Sequence, residues 1–289
     1  MGEPPPHGRG SERGFERQRA DFSIAPNFTV MELAPGDRGK KRAKMTMTRL
    51  GKELVRHAIA KTGLSGLYLR IRKAMGQNVD HLFAASLAER FSAIYKNRVW
   101  LNDRQSGSLS GLGSELESTK SIRQRIPDLL ESLGSRVVLD VGCGDFNWMK
   151  EVQVRCTYIG ADIVREVIEA NSAIYGSQNR TFQVLDATCD PLPAADTVLC
   201  REVLFHLSFR DVWLLVENVR KSGASFLIAT NDSALTLNAD IVSGDCRTLN
   251  LQRPPFSFPS PVLAIPDDCV VPGRILAVWK VSALPQRRD

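Results

Sequence analysis

The sequence predicts an α/β protein with a doubly wound sheet of largely parallel strands. Three short apolar runs each end in an acidic residue, at 136–140, 157–162 and 181–186, and two glycines follow the first run. Such runs are typical of parallel strands buried on both faces, and acids at their carboxyl ends lie where open α/β sheets bind ligands. These observations indicate a nucleotide-cofactor site at that edge of the sheet.

The residues after the first run narrow the choice of cofactor. Gly142 and Gly144 let the backbone pass close to a ligand, and Asp162, about 20 residues on, can hold ribose hydroxyls. A dinucleotide site would have a third glycine where this chain has Asn147, and the charge of Asp145 would repel a pyrophosphate. The glycines could instead make only a tight turn between strand and helix. The pattern favours an acidic pocket that holds no phosphate.

The segment from Asp140 to Asp145, with the sequence DVGCGD, resembles the first motif of the class I S-adenosylmethionine-dependent methyltransferases. The cofactor of that family carries a cationic sulfonium and an amino acid tail, which suit an acidic pocket. The resemblance extends from about Ser135 to Asp232, with residues 196–207 similar to the fourth strand and its turn and 225–232 to the fifth. At position 146, where many members have a third glycine, this chain has Phe146.

The resemblance implies a Rossmann-like sheet of about seven strands with the last strand antiparallel, an N-terminal helical extension, and S-adenosyl-L-methionine as cofactor. Asp162 matches the ribose-binding acid, and Asp186 with Ala187 matches the motif that contacts adenine. Asp140 either fixes the glycine loop or lies near the cofactor's amino group, and Arg201 either lines the cleft or faces solvent. The implied cofactor-binding residues are Asp140, Gly142, Gly144, Asp145, Asp162, Ile163, Asp186, Ala187 and Arg201.

The implied reaction is methyl transfer by in-line displacement, in which positioning supplies most of the catalysis. His206, Glu202 and Asp145 are the nearest candidates for a general base, although a histidine in an apolar run is more often a packing residue. After the fourth strand the chain reads Cys-Arg-Glu-Val rather than Asp or Asn followed by two prolines and an aromatic, which argues against methylation of base amines. We expect a small-molecule, lipid or glycan acceptor.

Two other functions stay open at this point. The chain could be a catalytically inactive module of the same fold that binds an anionic partner, nucleic acid or a membrane surface, through its basic N-terminal segment. A nucleotide-sugar or NAD-dependent enzyme is the third possibility, and Asn147 and Asp145 fit it poorly.

Composition places the chain among ordinary globular proteins. Of 289 residues, 43% are hydrophobic and 24% charged, and no apolar run approaches the roughly 18 residues of a membrane span. The first residues lack the apolar core of a secretory signal, so we expect a cytoplasmic protein. The six cysteines form no C-x-x-C pair and are expected to be reduced and mostly buried, and the four scattered histidines suggest no metal site.

Positive charge is concentrated near the N-terminus. Residues 36–73 carry a net charge of about +10, which leaves about −4 for the rest of a chain whose total is +6. We expect a disordered tail over 1–45 and a helical segment with a lid loop over 46–118, including one or two basic amphipathic helices between Thr48 and Met75. Their basic face could be merely solvated, or it could contact an anionic surface.

The region before the first strand predicts two more helices joined by a polar loop. Residues 80–100 have an aromatic-rich helical pattern, residues 118–133 a second helix, and the glycine- and serine-rich stretch 106–115 lies between them. In many class I methyltransferases the segment before strand one covers the cofactor, so this loop could be a lid that excludes water, or it could be a plain linker.

The remaining expectations concern the methyltransferase domain, 119–284, and its C-terminal part. Prolines at 254, 255, 259 and 261 exclude a helix and predict an extended connector that could form the substrate wall. Residues 274–281 have the pattern of the last, antiparallel strand. Candidate aromatic substrate contacts, each also a candidate core residue, are Trp100, Trp148, Phe256 and Phe258.

Overall fold

The computed structural model describes residues 51, 55–59, 62–101 and 107–287. The expected tail over 1–45 lies outside these residues. The described chain is built on a seven-stranded sheet in the order β3-β2-β1-β4-β5-β7-β6. The strands are β1 (Val137–Val141), β2 (Thr157–Asp162), β3 (Arg180–Val184), β4 (Thr197–Cys200), β5 (Phe226–Asp232), β6 (Leu263–Pro266) and β7 (Arg274–Lys280).

The strand directions confirm the predicted Rossmann-like sheet. Strands β1 to β5 pair in parallel, whereas β7 is antiparallel to both β5 and β6. The predicted antiparallel last strand is therefore confirmed. The sheet also contains β6, which the sequence did not predict. Because the order reverses between β1 and β4, the carboxyl ends of these two strands flank the switch point where such sheets bind ligands.

Five α-helices are described: α1 (Ser65–Ala74), α2 (Leu87–Lys96), α3 (Leu116–Ser132), α4 (Arg165–Tyr175) and α5 (Phe209–Lys221). The helix predicted over 80–100 is shorter than expected. Residues Asp80–Phe83 form a separate 3-10 turn, and the α-helix begins only after its N-cap Ser86. The Ser86 hydroxyl accepts from the Glu89 amide, and the Glu89 carboxylate accepts from the Ser86 amide, which fixes the start of α2. The helices predicted between residues 48 and 75 are confirmed in α1 and in residues 55–59. Residues 48–50, 52–54 and 60–61 are not among those that the structure describes.

The core has two apolar layers, one on each face of the sheet. One layer includes Val212 and Val216 of α5, and the other includes Ile122 and Ile126 of α3. Successive residues of β1 point to opposite faces, so Val138 packs under α3 and Leu139 under α5. This burial fixes β1, and with it the glycine loop that follows.

The cysteine expectation needs correction. Cys143 and Cys200 are buried, but Cys189, Cys246 and Cys269 are exposed. Each exposed cysteine lies in a connection rather than in a strand. All six are free thiols. Within the described ranges, no helix combines the length and apolar character needed to cross a membrane.

Candidate functional site

The glycine loop after β1 is held in a shape that only glycine adopts easily. Gly142 has φ +70° and Gly144 has φ +57°, both in the left-handed region. A methyl group at Gly142 would lie 2.4 Å from a Val203 side-chain carbon, and one at Gly144 would lie 2.3 Å from the Ser110 hydroxyl. Both glycines are therefore required by close approach as well as by conformation.

Asp162 fixes this loop. Its Oδ2 accepts from the Gly144 amide at 3.1 Å and its Oδ1 accepts from the Val164 amide at 3.0 Å, while Asn171 of α4 donates to the Gly144 carbonyl at 2.7 Å. The sequence left open whether Asp140 fixes the glycine loop, and these contacts give that task to Asp162. A carboxylate has about four lone-pair sites, so Asp162 keeps acceptor capacity for a ligand hydroxyl.

Phe146 stands at the position where the resemblance led us to expect a third glycine, and its backbone lies in the left-handed region that glycine favours. Its φ is +58°, which is uncommon for a bulky residue. The ring is buried and packs against Tyr158, Tyr175 and Phe182 with centroid separations of 5.0–5.3 Å. This aromatic cluster holds the strained residue in place, so the loop keeps its shape without the third glycine.

A cavity opens at the carboxyl ends of β1, β2 and β4. Its empty volume is about 930 Å³, a figure that includes space open to solvent. The structure brings most of the predicted site residues into its wall. These are Trp100, Asp140, Gly142, Gly144, Trp148, Asp162, Ile163, Asp186, Ala187, Arg201, Glu202 and His206.

Asp140 contributes a buried carboxyl group to this wall. Burial raises its pKa to about 7, an increase opposed by the Tyr158 hydroxyl, which donates at 2.6 Å, and by the charge of Arg201. The carboxyl group is thus poised between neutral and charged near neutral pH. A cationic ligand group beside it would favour the charged form.

Asp186 offers a second acidic group to the cavity. Its Oδ1 accepts from both the amide and the hydroxyl of Thr188, at 2.9 and 2.6 Å. These bonds orient the carboxylate at the end of β3. Ala187, the next residue, is buried, and its carbonyl accepts from Asn218 of α5.

Arg201 follows β4 and is buried in the wall. Its Nε and Nη2 donate to Asp267 at 2.9 and 3.0 Å, and its guanidinium lies 5.2 Å from the centroid of the Trp148 ring. A bidentate pair satisfies two of the three guanidinium nitrogens. The third, Nη1, is available to an anionic ligand group. Arg201 therefore lines the cleft and does not face solvent.

Glu202 is held in place by a second buried arginine. Arg274 of β7 donates to Glu202 Oε1 at 2.6 Å and to Asp232 at 3.0 Å. Glu202 also has φ +59°, and its amide donates to the Thr230 hydroxyl at 2.8 Å. This geometry fits Glu202 better as an anchor of the wall than as the general base.

His206 has the geometry of a neutral imidazole with one ring nitrogen for the cavity. Its Nδ1 lies 2.9 Å from the Asp245 carbonyl, which can only accept, so Nδ1 carries the proton and Nε2 keeps its lone pair. Burial lowers the pKa of His206, which favours the neutral form. The ring stacks on Trp100 with centroids 4.8 Å apart. Arg72 of α1 pairs with the Asp245 side chain and so ties α1 to the segment that positions His206.

The segment 107–115 lies against the cavity and is attached to the glycine loop. The Asp145 carboxylate accepts from the Leu109 amide at 2.6 Å and from the hydroxyls of Ser108 and Ser110 at 3.1 and 3.0 Å. Ser110 lines the cavity, and a methyl group added at Gly113 would lie 1.7 Å from Glu202 Oε2. These contacts favour the lid interpretation over a plain linker.

Three predicted site residues lie elsewhere. Asp145 holds the lid segment and is not in the cavity wall. Phe256 is fully buried against Phe209 and Trp213, and Phe258 packs on Trp279. Both phenylalanines belong to the core layer under α5, so their expected contact with substrate is not supported, because the proline-rich connector turns its aromatic side chains inward.

The cavity wall also includes residues that the sequence did not indicate. The aromatic and apolar side chains of α2, Leu87, Phe91 and Tyr95, face the cavity. The helical pattern of 80–100 showed which residues share a face but not what that face covers. Within the described ranges, no group of three or more His, Cys, Asp or Glu side chains has a metal-binding arrangement.

A family model described as a methyltransferase domain matches residues 139–228. These residues run from β1 into β5 and contain the glycine loop, Asp162, Asp186 and His206. No curated protein matches the chain significantly.

Several solved structures resemble the fold at low identity. Magnesium protoporphyrin IX methyltransferase from Synechocystis PCC 6803 with bound SAM is 17% identical over 52% of this chain and 77% of its own, with a TM-score of 0.37. Human N-acetylserotonin methyltransferase in complex with SAM is 18% identical over 60% and 50%, with a TM-score of 0.37. N-methyltransferase NodS from Bradyrhizobium japonicum WM9 is 16% identical over 40% and 64%, with a TM-score of 0.34. The chain spans less than two thirds of the human and NodS structures, and at these TM-scores the likenesses carry no argument about its reaction.

Proposed function

We propose that this chain, whose residues 139–228 match a methyltransferase domain model, is a class I, S-adenosylmethionine-dependent enzyme that methylates a small-molecule, lipid or glycan acceptor. The observation that carries this proposal is the cavity at the switch point of the sheet, whose wall combines the glycine loop with four acidic residues and an oriented histidine. S-adenosyl-L-methionine supplies an activated methyl group on a sulfonium. The chain's own residues supply binding, orientation and exclusion of water.

The charged groups of the cavity wall suit this cofactor. Asp162 and Asp186 would hold the ribose hydroxyls and the adenine, the first through its remaining lone pairs and the second through the oxygen not engaged with Thr188. Asp140 would accept from the amino group of the cofactor's amino acid tail, and Arg201 Nη1 would donate to its carboxylate. Gly142 and Gly144 keep the loop close to the cavity, because a side chain at either position would collide with Val203 or Ser110.

His206 is the residue we assign to proton removal from the acceptor. With Nδ1 bonded to the Asp245 carbonyl, Nε2 is the atom that would take the proton. The lowered pKa keeps this nitrogen unprotonated at neutral pH. Such a base is useful when the acceptor atom bears a proton that must leave during attack, as in a hydroxyl group. The aromatic residues Phe91, Tyr95 and Trp100 would provide an apolar wall that keeps water away.

The first experiment is calorimetric titration of S-adenosyl-L-methionine into the wild-type protein and into Asp162→Asn. The matched control is Asp128→Asn, which removes an exposed carboxylate from α3. We expect binding near one to one that weakens at least about tenfold in Asp162→Asn, a loss of about 1.4 kcal/mol, and is unchanged in the control. Absence of binding to the wild type would contradict the proposal.

Turnover needs a separate measurement. Incubation with cofactor labelled on the methyl group and a fractionated cell extract should move label into an acceptor, and His206→Asn should slow that transfer at least about a hundredfold. Cofactor binding without label transfer into any fraction would favour the inactive module over the enzyme.

A further inference from the structure

Helix α1 presents a row of large apolar side chains to solvent. Its inner side packs on the rest of the chain through Leu69, which is buried, and Arg72, which pairs with Asp245. The outer row, called here the α1 apolar row, is 49–73% exposed. The row consists of Leu64, Leu67, Ile71 and Met75.

The spacing of the α1 apolar row puts its members on one side of the helix. Steps of three and four residues return to the same face of an α-helix. A contiguous apolar face of this kind marks an interaction site, whereas single exposed apolar residues are normal on any protein. We propose that α1 docks the enzyme onto an anionic lipid membrane, lying in the interface with this row inserted between the lipid headgroups.

The positive charge around α1 indicates which kind of partner surface the helix binds. Arg70 and Lys73 are exposed on α1, and residues 36–73 carry a net charge of about +10 while the rest of the chain carries about −4. A basic segment next to an exposed apolar face is the combination that binds anionic lipid headgroups. Nucleic acid would satisfy the charge, but it offers no apolar phase for four aliphatic side chains.

Contacts between α1 and the catalytic domain make the docking relevant to the enzyme as a whole. Leu69 packs in a small cluster with Val79, Leu82 and Val242, and Arg72 pairs with Asp245, whose carbonyl positions His206. A docked α1 would therefore hold the catalytic domain at the lipid surface. This inference goes beyond the proposed reaction and does not depend on it, because binding to vesicles is measured without turnover.

The test is flotation of the full chain with two kinds of vesicle, phosphatidylcholine alone and phosphatidylcholine with about a third phosphatidylglycerol. The double variant Leu67→Glu with Ile71→Glu replaces the two central members of the α1 apolar row with charged side chains. Ile174→Glu makes the same kind of change at an exposed position of α4 and is the matched control. We expect the wild type and the control to float with the anionic vesicles, and the double variant to partition at least about tenfold less.

A second variant tests the charge. Arg70→Gln with Lys73→Gln should weaken binding to the anionic vesicles and reduce its sensitivity to salt, while thermal unfolding stays close to that of the wild type. The inference is overturned if the wild type floats with neither kind of vesicle. It is equally overturned if Leu67→Glu with Ile71→Glu floats as well as the Ile174→Glu control. It is also overturned if Leu67→Glu with Ile71→Glu changes only the oligomeric state, which would assign the row to a second copy of the chain.

Discussion

If Asp140 accepts from the amino group of the cofactor, as proposed, its raised pKa makes the affinity for the cofactor depend on pH. Burial raises this pKa to about 7. A group with a raised pKa takes up a proton as the pH falls through 7 and then has no charge to offer an ammonium group. If only the charged form binds tightly, lowering the pH from 7.5 to 6.0 weakens binding about eightfold, which is about 1.2 kcal/mol.

Calorimetric titration at a series of pH values measures this dependence. Asp140→Asn should bind more weakly at pH 7.5 and lose the pH dependence between 7.5 and 6.0. Tyr158→Phe removes the hydroxyl that stabilises the charged carboxylate, so its midpoint should move to higher pH. Methylthioadenosine, which lacks the amino acid tail, is the ligand control and should bind with little change over the same range. An equal slope in wild type and Asp140→Asn would refute the assignment.

Three further predictions concern the lid, the base and the loop. Gly113→Ala should raise the KM for the cofactor at least about fivefold, because the added methyl overlaps a carboxylate oxygen, whereas Gly107→Ala, with nothing closer than 3.7 Å, should have little effect in steady-state kinetics. The kcat should fall on the acid side only at a pH below the ordinary range of histidine, since burial lowers the pKa of His206, and a profile that stays flat throughout the acid range would exclude it as the base. Phe146→Ala should cost about 3–5 kcal/mol in urea unfolding against a much smaller loss for the exposed Phe83→Ala, and equal losses would contradict the aromatic anchor.

The predictable part of the fold was the part encoded locally. An apolar run followed by an acid within six residues predicted β1 and β2 and brought Asp140 and Asp162 to one edge, because parallel strands share their carboxyl ends. Strand β6 was not predicted, since four residues ending in a proline at the sheet edge carry little of that pattern. The pairing of Arg201 with Asp267 was not predicted either, because 66 positions separate the partners and only the folded sheet brings them together.

The glycine loop contacts both the cofactor cavity and the lid. This explains why Asp145, which the sequence motif predicts as a cofactor contact, binds the lid instead. The Gly144 amide donates to the Asp162 carboxylate, and the absence of a side chain at Gly144 leaves room for Ser110 of the lid. The next residue, Asp145, then turns its carboxylate away from the cavity toward the amide and hydroxyls of 108–110. A change at Gly144 should disturb both contacts, whereas a change at Asp145 should disturb the lid attachment and the bond that its carboxylate accepts from the Asn147 amide. Asp145, which the motif offered as a cofactor ligand, therefore binds the segment 108–110 in this structure.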